Sequence, residues 1–124
     1  MNSAETHPMH LHGFRFYVVG LGEGNFDNGT APETYNLYDP PEMNTVPAPR
    51  DGWAVIRFRA NNPGVWYFHC HFDRHMSWGM DMAFIIKDGN TAETSIREPP
   101  AYMPPCEADS SLLTALRSYL QQKA

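Results

Sequence analysis

The triplet His69-Cys70-His71 cannot bring its three side chains together if the chain around it is extended. Val65 to Cys70 is β-branched and aromatic and reads as a strand running into that triplet. Successive side chains of a strand leave on opposite faces. His69 and His71 therefore share one face and Cys70 points to the other. A fold that holds this stretch must build two different environments back to back.

The six histidines fall in two clusters, His7/His10/His12 and His69/His71/His75. The first cluster sorts as the second does: His10 and His12 share a face, and His7, at odd spacing, points opposite. Pro8 weakens the parity argument for His7. If the two segments lie side by side, Cys70 and His7 meet on one side, and four imidazoles (His10, His12, His69 and His71) meet on the other. His75 and Met80 then reach back to the cysteine side through the following loop.

The cysteine side thus collects a thiolate, two imidazoles and a thioether: Cys70, His7, His75 and Met80. That set suits one-electron copper chemistry of the blue type, and the imidazole patch suits further copper ions. Because Cys70 is bonded through the backbone to histidines of the second site, electrons have a short covalent route between the two. Taken singly, each element has a plainer reading. His-x-His pairs are often incidental or bind zinc. A lone cysteine is commonly a small buried hydrophobe, and Met80 alone is commonly core packing, as Met76 and Met82 are expected to be. Zinc is the chemical competitor, but it needs no thioether and no imidazoles flanking the thiolate. Asp73, inside the motif, is read either as a hydrogen-bond partner of a ligand histidine or as a solvated carboxylate.

The rest of the chain bounds the setting. Its 124 residues make one domain, and 42% hydrophobic residues suffice for a core. The net charge of -5 comes without a basic run, which disfavours nucleic acid and anionic membrane as partners. No apolar stretch approaches the roughly 20 residues of a membrane span. Met1 to Thr6 lacks the apolar core of a signal peptide, and the expectation is that Met1 is an internal start in a longer reading frame. With Cys70 on metal, Cys106 is either a free thiol or bridged to a segment outside this chain. Asn28-Gly29-Thr30 is a glycosylation acceptor in a Gly-rich loop, consistent with secretion.

Strands are expected over Phe14 to Gly20, Trp53 to Phe58, Val65 to Cys70 and Met82 to Lys87, with Asn61-Asn62-Pro63-Gly64 as a turn. Leu21 to Pro49 reads as an irregular excursion with a short strand or turn near Tyr35 to Tyr38. Short strands with turn signals indicate an antiparallel sandwich or barrel. Glu98 to Pro105 should be extended coil. Beyond Cys106, an Asp109-Ser110 cap and apolar residues at Leu112, Leu113, Leu116, Tyr119 and Leu120 predict a short amphipathic helix.

Two long motifs carry a family resemblance. His7-Pro8-Met9-His10-Leu11-His12-Gly13-Phe14 resembles the third copper motif of multicopper oxidases. Asn62-Pro63-Gly64-Val65-Trp66-Tyr67-Phe68-His69-Cys70-His71, through His75 to Met80, resembles the fourth. Asp39-Pro40-Pro41, Asn44-Thr45-Val46 and Gly52-Trp53-Ala54-Val55-Ile56-Arg57-Phe58 resemble the plant laccase group. The likeness covers Ala4 to Cys106. It implies an all-β, cupredoxin-like Greek-key sandwich or barrel over residues 1–106, the C-terminal domain of a laccase, with a helical tail over 107–124.

By the same resemblance, His7, Cys70 and His75 hold the type 1 copper with Met80 axial. His10 binds the type 2 copper, and His12, His69 and His71 bind the type 3 pair. The implied activity is oxidation of phenols, lignin precursors among them, with reduction of dioxygen to water, by a secreted glycoprotein of the apoplast. Two departures matter. Plant laccases commonly carry an aliphatic residue where Met80 stands and ascorbate oxidases carry Met, so ascorbate oxidase is the alternative. The family's other two His-x-His motifs and its middle domain are absent, leaving half the trinuclear ligand set. Cys106 resembles the family's C-terminal cysteine, whose partner lies in the first domain. The chain alone is therefore expected to hold at most the type 1 copper. It would act as a blue-copper electron-transfer module, persist as an inert truncated product, or complete the cluster by pairing with a second copy.

Overall fold

A computed structural model describes residues 5–103 and, beyond them, Thr114 and Ser118, which are helical. The expected 107–124 appendage and Cys106 otherwise lie outside the described residues. Among the described residues, seven strands form two antiparallel sheets: β1 (His7–Leu11), β2 (Phe16–Glu23), β3 (Glu42–Met43), β4 (Thr45–Ala48), β5 (Gly52–Arg57), β6 (Gly64–Cys70) and β7 (Asp81–Ile86). One sheet runs β4-β1-β6-β7 and the other β3-β2-β5. This is the expected all-β, cupredoxin-like sandwich.

Alternation builds the core. On β2, Phe16 and Val18 are buried while Tyr17 between them is 45% exposed. Leu11 of β1 stands opposite Phe68 of β6, and the two face inward with Trp66. Phe14, Phe16, Val18 and Val46 join Leu11, with Ile56, Phe58, Phe84 and Ile86 packed against them. Such interdigitation drives the fold at about 25 cal/mol per Å² of apolar area removed from water. Cys70 lies on the same inward face and is fully buried, whereas Val65 and Ile85, cross-strand partners on the outer face, are 70% and 77% exposed.

The irregular excursion holds more order than expected. It contains the end of β2, a 3-10 helix at Ala31–Thr34, and β3 and β4. Pro47 hid β4, since a proline cannot donate to a central ladder. It is tolerated here because β4 is the edge of its sheet. Near Tyr35 to Tyr38 the chain makes a turn, closed by Asn36, whose side chain donates to Asp39 O at 2.7 Å and accepts from Asp39 N–H at 3.0 Å. The strand ends shift by a few residues from those expected.

The 27–30 loop is organised by one carboxylate. Asp27 Oδ1 accepts from the N–H groups of Gly29 (2.8 Å) and Thr30 (2.9 Å) and from the Thr30 hydroxyl (3.2 Å). The Thr30 and then the Gly29 backbone bonds hold its pKa below the ordinary carboxylate value. A folded pKa below the unfolded one stabilises fully above the unfolded value, and the gain is lost as pH falls through the folded value. Asp27→Asn should therefore flatten that part of the acid limb of stability against pH, measured by denaturant melts at stepped pH, and leave neutral and alkaline behaviour unaltered in slope.

Candidate metal centre

The two clusters meet because β1 and β6 pair antiparallel. Met9 stands opposite Cys70 and His10 opposite His69. The ladder is extended by His12 N–H to Tyr67 O at 2.9 Å and by His71 N–H to Pro8 O at 2.7 Å. Met9 and Cys70 thus share the core face, and His7, two residues before Met9, joins them. His10 and His69 share the opposite face with His12 and His71.

On the core face Cys70 Sγ lies 3.7 Å from His7 Nδ1 and 3.6 Å from His75 Nδ1, and the two nitrogens are 3.1 Å apart. Among the described residues, these three make the group whose ligand atoms all fall within 4.8 Å of one another. Cys70 is 0% exposed and His75 5%. A short helix that sequence reasoning missed, α1 (Asp73–Ser77), carries His75 back toward the sulfur. Five residues are too few to show a helical period. After α1, Gly79 takes a positive φ of 92° and reverses the chain. Met80 N–H then donates to His75 O, and Met80 O accepts from Cys70 N–H, both at 3.0 Å. Met80 is thereby tied to Cys70 through its backbone; the residue is 37% exposed.

The outer face gathers the four imidazoles. Ring centroids are 4.9 Å apart for His10–His12, 5.1 Å for His12–His69, 5.7 Å for His10–His69 and His10–His71, and 5.6 Å for His69–His71. His12 and His69 bring their Nε2 atoms to 3.0 Å. Second partners orient the rings. His10 Nδ1–H points to Asn44 O at 2.7 Å, with Thr45 Oγ1 at 3.0 Å. His69 Nδ1–H donates to Cys70 O at 2.9 Å, and the ring stacks on Tyr67 at 4.6 Å. Those bonds commit Nδ1 to hydrogen bonding and free each Nε2 as a ligand. Desolvation, and then the neighbouring His10, His69 and His71, lower the pKa of His12. Its imidazole is thus the more readily neutral, with a lone pair available.

Asp73 stands on the solvated side of its two readings: its residue is exposed, and its carbonyl accepts from Ser77 Oγ at 2.7 Å. The outer nitrogen of His75 instead meets Glu5 Oε1 and Arg74 Nε, each at 3.1 Å, and Arg74 pairs with Glu5. Sequence reasoning passed over both. The available signal was Arg74 beside His75 and an acid two residues before His7.

A buried cysteine sulfur converging with two imidazole nitrogens on a cupredoxin-like sandwich is a copper donor set. The multicopper oxidase family model matches residues 1–90. The chain belongs to the multicopper oxidase family, whose members use copper. It is 64% identical over 104 residues to "Putative laccase-9" of Oryza sativa subsp. japonica, covering 84% of this chain and 18% of that protein. Against "Laccase-11" of Arabidopsis thaliana the identity is 55% over 104 residues, with 84% and 19% covered. Among solved structures, the laccase from Botrytis aclada matches with a TM-score of 0.68 and 32% identity over 80% of this chain and 17% of that one. A leucine-to-methionine mutant of that laccase matches at 0.65 and 36%. The chain thus spans about a fifth of the length of the relatives it matches.

Proposed function

We propose that this chain supplies the type 1 copper site and half of the trinuclear site of a laccase-type oxidase, which oxidises phenols one electron at a time and reduces dioxygen to water. The observation that carries the reading is the back-to-back arrangement: a Cys-His-His pocket on the core face and four imidazoles on the other face of the same two strands. His7, Cys70 and His75 are assigned to the type 1 copper with Met80 as the weak axial donor. His10 is assigned to type 2, and His12, His69 and His71 to the type 3 pair. Copper so held would accept single electrons from the reductant and, as a cluster, deliver four to dioxygen.

The chain's own groups do the rest. Cys70 is bonded through the backbone to His69 and His71, and its carbonyl also accepts from His69 Nδ1–H, so two short routes join the sites. A pocket of about 340 Å³ lined by His75, Trp78, Gly79 and Met80 gives an aromatic ring room beside the buried imidazole. Trp78 is 78% exposed and its ring lies 5.8 Å from that of His75. The partner is a protein segment carrying the complementary His-x-His motifs, as N-terminal cupredoxin domains would. The exposed Val65/Ile85 pair, on the outer face with His69, offers it an apolar approach. Cys106 would then bridge to that segment.

The plant laccase likeness supports an extracellular, apoplastic location, and the 28–30 acceptor is exposed on its turn. Made through a secretory pathway, the chain should lose mass on endoglycosidase treatment, and Asn28→Gln should remove that shift in a mass spectrum.

A second reading is favoured by one fact: the thiolate group is complete within this chain, while the four imidazoles are half a family set. Alone, the chain would act as a blue-copper electron-transfer module. The copper-loaded chain mixed with a methoxyphenol should lose its thiolate absorption with negligible dioxygen uptake. Sustained uptake by the chain alone would reject the half-cluster reading. Bleaching by ascorbate but not by the phenol would favour the ascorbate oxidase alternative. Met80→Leu should raise the reduction potential, because a thioether favours Cu(II), and a redox titration of the visible band checks it. An unchanged potential would remove Met80 from the ligand set.

A further inference from the structure

The outer nitrogen of His75 is served by two groups with opposite demands. Glu5 Oε1, a pure acceptor, and Arg74 Nε, a pure donor, each lie 3.1 Å from Nε2. A neutral imidazole carries one N–H. With the proton on Nε2, that N–H donates to Glu5, and the Nδ1 lone pair faces Cys70 Sγ and His7 Nδ1, ready to bind a metal. With the proton on Nδ1, Nε2 accepts from Arg74, and the N–H fills the 3.1 Å gap to His7 Nδ1. The ring cannot satisfy both partners through one nitrogen.

We infer that Glu5 and Arg74 are positioning residues that select between the two neutral forms of His75, Glu5 favouring the copper-holding form and Arg74 the copper-free form. The exchange moves one proton between the ring nitrogens, with no net gain or loss. The His75 ring is held in place either way, since its side chain is only 6% exposed while Glu5 and Arg74 sit at the surface, 38% and 59% exposed. The ion pair between Glu5 and Arg74 keeps both against the ring. A carboxylate on the outer nitrogen also raises the basicity of the inner one. The inference rests on the assignment of His75 as a copper ligand through Nδ1.

The test uses the whole chain, copper-free, with ¹⁵N-labelled histidine at a pH where the imidazoles are neutral. Ring-nitrogen shifts report where the His75 proton sits. Glu5→Ala should move the population toward Nδ1–H and Arg74→Ala toward Nε2–H. Arg74→Lys keeps the cation but lacks the Nε donor and should follow Arg74→Ala. Glu5→Gln keeps an acceptor oxygen and should resemble the parent. Copper titrations should follow the same signs, with Glu5→Ala about tenfold weaker and Arg74→Ala tighter. Shifts in the same direction for Glu5→Ala and Arg74→Ala, or in neither, would overturn the inference, as would Glu5→Gln behaving like Glu5→Ala. Loss of copper binding in the parent chain would instead count against the type 1 assignment, and the nitrogen shifts would still decide the tautomer question.

Discussion

Serine in place of Cys70 should abolish the intense visible absorption of the copper-loaded chain and weaken copper binding by more than about a hundredfold. The sulfur is the soft donor that distinguishes this pocket from an ordinary imidazole site, and the strong colour arises from charge transfer out of the thiolate. Serine is close in size, and its hydroxyl stays protonated at neutral pH. The fully buried position then offers copper two imidazoles and a poor neutral donor. Because serine is close in size and its hydroxyl would sit beside the His7 and His75 ring nitrogens as hydrogen-bond partners, the fold should survive with a modest loss, and the outer imidazole face should be unaffected. Copper titration followed by absorption checks both parts. Retention of the band in Cys70→Ser would mean that the colour comes from elsewhere and that the pocket is misassigned.

The second large effect is on stability. Gly13→Ala should cost about 3 kcal/mol. Gly13 turns the chain from β1 to β2 at a φ of 73°, where an L side chain is strained. A Cβ there would also lie 2.3 Å from carbons of the Trp66 ring. Trp66 cannot easily yield: its indole N–H donates to Asn62 O at 2.8 Å, and Asn62 Nδ2 in turn donates to Gly13 O at 3.0 Å. This lock joins the turn after His12 to the turn before β6, so it holds the two histidine-bearing strands at one end. Gly24 is the control. It has the same φ of 73° but nothing within 4 Å of a built Cβ, so Gly24→Ala should show the strain alone, about 1 kcal/mol. Urea melts of the two variants separate clash from strain, and equal losses would contradict the lock.

The sandwich and the sorting of the histidines were legible in the sequence because both depend on the period of two along a strand. His69, Cys70 and His71 announce two faces, and the clustering of His7, His10 and His12 announces a neighbour with the same parity. Parity matches the faces of β1 and β6 but leaves shifts of two residues open, and the structure is what sets Met9 against Cys70. What stayed hidden lacks a period. β4 is a four-residue edge strand containing Pro47, and α1 is a single short turn of helix. The hydrogen-bond partners of the clustered histidines were equally opaque. Asn44 and Thr45 reach His10 from 34 and 35 residues away, and Glu5 meets His75 only once α1 has carried that ring back to the sulfur. Asp73, nearer in sequence, was the natural guess, but a helix N-terminal residue at this position points to solvent. Long-range side-chain pairings of this kind depend on tertiary closure, which spacing alone does not report.

The most direct measurement is a copper titration of the chain read by absorption and electron paramagnetic resonance together. One tightly bound copper per chain, with a strong thiolate band and a blue-type resonance, is the predicted result. Tight copper bound without that band and without the blue-type resonance would show that the core-facing pocket does not hold the metal and would contradict the account.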